Sequence, residues 1–280
     1  MPMEIPVEWY RVIKAGAISE ARKQNICRGM LPVTGPIGGI AVQQWSYDKT
    51  EEMSEAVVSY QFVEMAEDRV GFDRAHIPIP LIQKEFRVGR RDLAAAAKGG
   101  YPISTINSNA AAYQITNIEN QMVINGYSTD GKNYEIKGLL NSAGIEVTDS
   151  YDAATPGNFA KATALAIENA MANEIYGPFE WTINPQQYTQ LGISLWTGGK
   201  SELEMVQSMV SNIKVTNWIP AGHGMFTGGK SNSQYELIIA QDMTVELEIL
   251  QKSKDLWGRL YEALVPVVYQ PKTIQHFKAL

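Results

Sequence analysis

Between residues 7 and 26 apolar side chains recur every three or four positions, and Tyr10, Ile13, Ala17 and Ala21 form one stripe. That spacing predicts an amphipathic helix. Arg22 and Lys23 fall in its last turns, where cations suit the negative end of the helix dipole. TGPIGG (34–39) then brings turn chemistry. A second, long helix is predicted over 103–124, with Ala111, Ile115, Ile118 and Met122 as its apolar row and Asn and Gln opposite. Pro156 and Gly157 open a third. Its apolar side is Phe159, Thr163, Ala166, Ile167, Ala170 and Met171, and Gly177 and Pro178 stop it. Asn184 and Pro185 form an N-cap and first-turn pair, and Ser201 and Glu204 have capping-box spacing.

The pattern changes between residues 40 and 90. EAVVSYQFVEM (55–65) and IPIPLIQKEFRV (77–88) are rich in β-branched and aromatic residues and predict strands, with charged, turn-like AEDRVGFDRAH between them. No nearby helix covers them. The segment reads as a two-stranded arm that needs another surface, such as a neighbouring subunit, to bury its apolar side. FEWTIN (179–184), IKVTNW (213–218), YELIIA (235–240), MTVELEIL (243–250) and LWGRLYEALVPVVYQ (256–270) predict further strands. Asp242 is expected in a turn between two of them. The C-terminal part is therefore α+β, with helices beside a mostly antiparallel sheet.

Composition narrows the function classes. The chain has 280 residues, 45% hydrophobic and 19% charged, enough for one large or two modest domains. A net charge of −6 and a pI near 5.2 argue against a nucleic-acid binder. No apolar run is long enough to span a membrane. No secretion signal is expected from MPMEIPVEWY. Cys27 is the only cysteine, so no intrachain disulfide forms, and a reducing, cytoplasmic compartment is expected. His76, His223 and His276 lie far apart in sequence and no metal-ligand spacing occurs, so no metal is expected.

One motif suggests catalysis. GMFTGGKS (224–231) fits the phosphate-loop pattern G-x-x-x-x-G-K-[ST], and its TGGKS recurs at 197–201. A working phosphate loop needs a helix N-terminus directly after the glycines. SNSQYELIIAQ after Lys230 reads instead as polar loop and then strand, and the other copy has Ser194 in place of the leading glycine. The reading is that neither copy binds nucleotide and that the chain is not an enzyme.

The order of elements resembles the encapsulin shell proteins, which share the Hong Kong 97-type fold of tailed-phage major capsid proteins. ARKQNICRGMLPVTGPIGG (21–39) looks like the end of the encapsulin N-terminal helix and its Gly-Pro turn. IPIPLIQKEFRVGRRDL (77–93) looks like the return strand of the extended loop, YGPFEWTINPQQYTQL (176–191) like the start of the apical domain, and YELIIAQDMTVELEI (235–249) like its late strands. The resemblance implies an N-terminal helix and turn at 1–39, an extended loop at 40–90, a peripheral domain at 91–135 and 250–280, and an apical domain at 136–249.

It further implies an icosahedral homo-oligomer that encloses cargo proteins, often iron-storage or oxidative-stress enzymes, captured by a C-terminal targeting peptide. A viral or proviral capsid protein that packages DNA is the alternative. The N-terminal helix would line the cargo groove, with Tyr10, Ile13 and Ala17 on its apolar side and Arg28 near its end. Trp196, Gly198, Gly199 and Lys200 would line a pore at a symmetry axis. Some relatives bind flavin through an aromatic near the segment here written VGRRDL (88–93); this one offers Arg90 and Arg91 and no Trp, so no cofactor is expected.

Overall fold

The computed structural model describes residues 7–50, 58, 60–61, 71–99, 103–128, 135–194, 201–250 and 252–280. In chain order these form α1 (Val7–Gln24), α2 (Cys27–Met30), β1 (Val33–Thr34), β2 (Gln44–Thr50), β3 (Phe72–Pro78), β4 (Leu81–Val88), α3 (Arg90–Gly99) and α4 (Ile103–Asn125). Then come β5 (Ile145–Val147), α5 (Asn158–Ala172), β6 (Phe179–Ile183), α6 (Pro185–Ile193) and α7 (Glu202–Met209). The described chain ends with β7 (Asn212–Val215), β8 (Gly224–Gly228), β9 (Tyr235–Ile249), β10 (Leu256–Val268) and β11 (Ile274–Phe277).

Two sheets carry two cores. The first has strand order β1-β9-β10-β4, and α4 packs on it with α1 laid against α4. The second has order β5-β11-β8-β6-β7 and carries α5, α6 and α7. Both are mixed: β1–β9, β5–β11 and β6–β7 are parallel, the other pairs antiparallel. The expected boundary at 249/250 falls in the β9–β10 hairpin, whose strands share the first sheet, while β11 crosses back to the second.

Local chemistry explains several elements. Asn184 accepts from the Gln186 amide while the Gln187 side chain reaches back to the Asn184 amide, so α6 starts in a capping box with Pro185 at its first position. The Ser201 hydroxyl accepts from the Glu204 amide and starts α7. Gly35 sits at φ +136°, and a Cβ there would lie 2.1 Å from the Ile239 carbonyl oxygen. The Gly-Pro turn is therefore glycine because the chain runs hard against β9.

The structure corrects four expectations. The arm is β2 paired with β3, from Gln44↔Pro78 to Thr50↔Phe72. The strand expected at 55–65 falls almost wholly outside the described residues, and 77–88 is not one strand. Pro78 and Pro80 lack the N–H a ladder needs, so β3 ends at Pro78 and β4 joins the first sheet beside β10. Asp242 is no turn residue, because β9 runs unbroken through it. On α4, Ile118 is exposed while Glu119 and Asn120 are buried. The helix is covered on two sides, by sheet and by α1, so its buried arc is wider than a single row. Finally, α5 ends at Ala172, before Gly177, and Met171 is exposed.

Candidate functional site: the groove beside the N-terminal helix

Ile13 and Ala17 are fully buried against the chain's own core. Tyr10 is half-buried, and its hydroxyl donates to the Val245 carbonyl at 3.0 Å. The apolar stripe of α1 thus seats the helix on α4 and β9. The adjoining face, with Ile18 and Arg22, borders a shallow groove whose far wall is Asp242 and Met243 of β9 and whose end is Arg28. The groove continues along Ala15, Ser19 and Lys23 into an open depression of about 490 Å³. Of the four expected cargo-facing residues, Arg28 lines the groove.

Arg28 is the centre of a charge cluster. Its Nε donates to Glu119 at 2.9 Å, one terminal nitrogen to Asp242 at 2.7 Å, and the other to Glu262 at 3.0 Å. Glu119 and Glu262 are completely buried; the Asp242 side chain is 57% exposed, so of the three carboxylates it is the one that opens onto the groove. Asn25 tightens the corner, donating to Glu119 at 2.6 Å and accepting from the Arg28 amide at 3.0 Å. The β9–β10 ladder shifts register between Tyr261 and Leu264, and Glu262 and Asp242 both fall in that irregular stretch.

Three carboxyl groups face one guanidinium, so the cluster carries excess negative charge unless a proton is held. Burial, reinforced by neighbouring Glu119, raises the Glu262 carboxyl well above its ordinary range, against the pull of Arg28. Its Oε1 accepts no hydrogen bond. Of the three carboxyl groups, Glu262 is the one whose surroundings favour the protonated form. The same carboxylates push the Arg28 guanidinium further up, although its own burial opposes them. Burial also raises the Cys27 thiol, making it inert, and its sulfur lies 3.6 Å from the Asn120 carbonyl.

Sequence reasoning missed Glu119, Glu262, Asp242 and Asn25. Two of them carry a readable signal: Glu119 falls four residues after Ile115 on the buried arc, and Glu262 interrupts the apolar run LYEALVPVV. A charge where the pattern demands an apolar residue marks a buried partner.

The phosphate-loop match resolves into a strand and a turn. Gly224–Gly228 is β8, and no helix follows it. Lys230 instead donates to the Gly29 carbonyl at 2.9 Å, which also accepts from Lys214 at 2.9 Å. These lysines tie α2 to the second sheet, and Lys214 pairs with Glu180 at 2.7 Å. Of the expected pore residues, Trp196, Gly198, Gly199 and Lys200 lie outside the described residues. The segment's ends are pinned: the Glu202 amide donates to the Ser194 carbonyl at 2.9 Å, and the Ser194 hydroxyl donates to the Glu202 side chain at 3.0 Å.

The histidines are not all scattered. His223 Nδ1 and His276 Nε2 lie 2.9 Å apart. Burial, with His223 and Lys278 nearby, holds the His276 imidazole down at about 4. Among the described residues no group of three or more His, Cys, Asp or Glu could hold a metal ion, and no helix is long and apolar enough to cross a membrane.

This architecture is that of capsid proteins. A virus-like particle from Pyrococcus furiosus matches with a TM-score of 0.73 at 20% identity, covering 97% of this chain and all of that one. The capsid of Myoviridae phage XM1 matches with a TM-score of 0.75 at 14% identity, covering 91% of each chain. Such likeness establishes the Hong Kong 97-type fold and leaves viral and cellular shells undivided.

The family model does divide them. Residues 4–262 match the Linocin_M18 family, the encapsulating protein for peroxidase, and the chain belongs to that family of encapsulin shell proteins. It is 25% identical over 263 residues to the diheme-cytochrome-encapsulin shell fusion protein of Kuenenia stuttgartiensis, covering 90% of this chain and 65% of the relative. It is 26% identical over 240 residues to the type 1 encapsulin shell protein EncA of Myxococcus xanthus (strain DK1622), covering 84% and 80%. The chain thus spans slightly under two thirds of the first relative.

Proposed function

We propose that this chain builds a closed icosahedral compartment in the cytoplasm, loaded with a cargo enzyme whose C-terminal peptide lies in the groove between α1 and β9. The observation that carries the reading is the groove itself. Ile18 offers apolar surface backed by the buried Met243, and Arg22, Arg28 and Asp242 offer charge at its edge. An extended peptide with alternating apolar and polar residues suits such a surface. An iron-storage or oxidative-stress enzyme is the cargo class that the encapsulin resemblance favours. The segment at 195–200, with Lys200, is carried as the pore by that resemblance alone.

Closure implies roughly 60 subunits or a multiple of that number. The groove test separates folding from loading. Ile13→Asp buries a charge in the core and should abolish soluble protein, whereas Ile18→Asp changes only the groove wall. With native cargo coexpressed, Ile18→Asp shells should form and come out empty by mass spectrometry. Normal loading of those shells would overturn the groove.

A further inference from the structure

The arm leaves the body at β2 and returns at β3, and its base is held on one side by a chain of polar contacts. Trp45 of β2 donates its indole N–H to the Tyr269 hydroxyl at 3.1 Å. That hydroxyl donates to Glu236 of β9 at 2.5 Å. The Glu236 carboxylate is buried, and also accepts from the Thr34 hydroxyl at 2.5 Å. Tyr47, two residues along β2, meets the Tyr269 ring edge-on at 4.8 Å between centroids and 85° between planes. One side chain from the end of β10 therefore touches the arm twice and the sheet once.

Open space adjoins this hold, and Tyr269 itself borders it. Tyr47, Asp48 and Lys49 face Asn173, Glu174 and Lys272 across a cavity of about 810 Å³. An arm held through Tyr269 beside such a space can tilt into it when the hold is lost.

We propose that Tyr269 is a positioning residue for assembly: the Glu236–Tyr269–Trp45 relay fixes the tilt of the arm, and through it the uniform curvature of the shell. An arm that reaches a neighbouring subunit converts its angle at the base into the angle between subunits. A small error at the base is multiplied by the arm's length, so a single hydroxyl can matter at the level of the whole particle. Burial and the Glu236 carboxylate push the Tyr269 phenol upward, so its hydroxyl stays a donor across the neutral and mildly alkaline range.

The inference rests on the shell reading, and the test separates the two. Wild type and three variants are purified and compared by mass photometry and electron microscopy, with the urea midpoint measured alongside. Tyr269→Phe keeps the ring and removes the hydroxyl; Trp45→Phe removes the arm's donor without touching the body. Thr34→Val removes another donor to the same Glu236 carboxylate but leaves the arm's contacts in place. Both arm-side variants should lose the single mass peak and show a displaced arm base, whereas Thr34→Val should keep the wild-type peak at a comparably lowered urea midpoint. Wild-type particles from Trp45→Phe, or the same loss of uniformity from Thr34→Val, would overturn the proposal. If Tyr269→Phe yields no particles, Trp45→Phe decides. A wild type that forms no shells at all defeats the shell reading instead.

Discussion

The two sheets solve the same problem, a polar group inside a core, by opposite means. In the first, Arg28 meets Glu119 and Glu262, both with no exposed side-chain surface. In the second, the core is aromatic: Trp181 packs against Phe159, Phe226 and Phe277 with ring centroids 5.0–5.1 Å apart. Its buried polar atoms are mostly neutral. Trp181 donates to the Thr163 hydroxyl at 3.1 Å, and Gln275 donates to the Ala166 carbonyl at 2.7 Å. The difference follows from what each core must join. The second stacks helices on one sheet, where shape alone orients the layers. The first must fix α2, α4 and an irregular strand pair at one point, where a planar guanidinium with five fixed donors sets their mutual angle.

Breaking the charged centre should cost most. Arg28→Met leaves the buried carboxyl groups without their cation, and removing one partner of such a set costs about 3–5 kcal/mol. The urea midpoint should fall accordingly and shell yield should collapse. A loss under ~1 kcal/mol would mean that the cluster is solvated and that the contrast between the cores is false.

On the aromatic side the cost should be smaller. Trp181→Phe removes the indole donor to the buried Thr163 hydroxyl, which still donates to the Phe159 carbonyl at 2.9 Å. Loss of one such hydrogen bond costs about 0.5–1.5 kcal/mol. Near-UV circular dichroism should report the loosened ring cluster, and denaturation should report the energy. If this variant proves more damaging than Arg28→Met, aromatic packing rather than charge is the more fragile device.

These two regions were unequally legible in the sequence. Helix periodicity and capping chemistry announce α1, α4, α6 and α7, because both are local. α3 went unread, since RRDLAAAAKG offers no apolar stripe. The arm's strand β2 was also missed: QWSYDKT alternates Trp45 and Tyr47 with polar residues over too short a run. The charge cluster stayed hidden for a different reason. Arg28 and Glu262 are 234 residues apart, and Asp242 and Glu262 sit where the β9–β10 register shifts. Periodicity places a residue on a face; it does not say which distant residue that face meets. The stripe Tyr10–Ile13–Ala17 shows the converse, since one apolar pattern serves equally for a core and for a groove.

Acid should also distinguish the halves. The His276 imidazole is held at about 4, below the ordinary 6.5. A base with a depressed folded value keeps its stabilising contribution above the unfolded value and loses it as pH falls. The second core should therefore weaken between pH 6.5 and about 4, by at most about 1.4 kcal/mol per pH unit. The groups around the ring are His223, Glu146 and Lys278, and Glu146 alone opposes the shift. Subtracting the pH profile of His276→Gln from that of wild type isolates this contribution. A flat difference would show that His276 is hydrated and titrates normally.

The smallest expected effect makes the sharpest test of the charged core, because it comes from a residue that looks indispensable. Glu262 is fully buried and bonded to Arg28, so a reading by contacts alone ranks it with Glu119. Its raised carboxyl says otherwise: burial and the neighbouring Glu119 favour its protonated form in the folded protein. A raised acid stabilises the fold fully below its unfolded value, about 4.3, and that gain is lost as pH climbs through the folded value. Glu262→Gln replaces the protonated carboxyl with an amide of the same shape. The amide oxygen can still accept from Arg28, and the amide nitrogen can donate toward Glu119 as a carboxyl proton would. At neutral pH the substitution should cost less than ~1 kcal/mol, and it should remove the decline with rising pH expected of wild type. Glu119→Gln makes the contrast, because Glu119 accepts from Arg28 twice and from Asn25. There an amide nitrogen would confront donors, and the loss should be several times larger. Equal losses from the two substitutions, measured by urea denaturation at one pH, would show that Glu262 is ionised and that the cluster holds no proton.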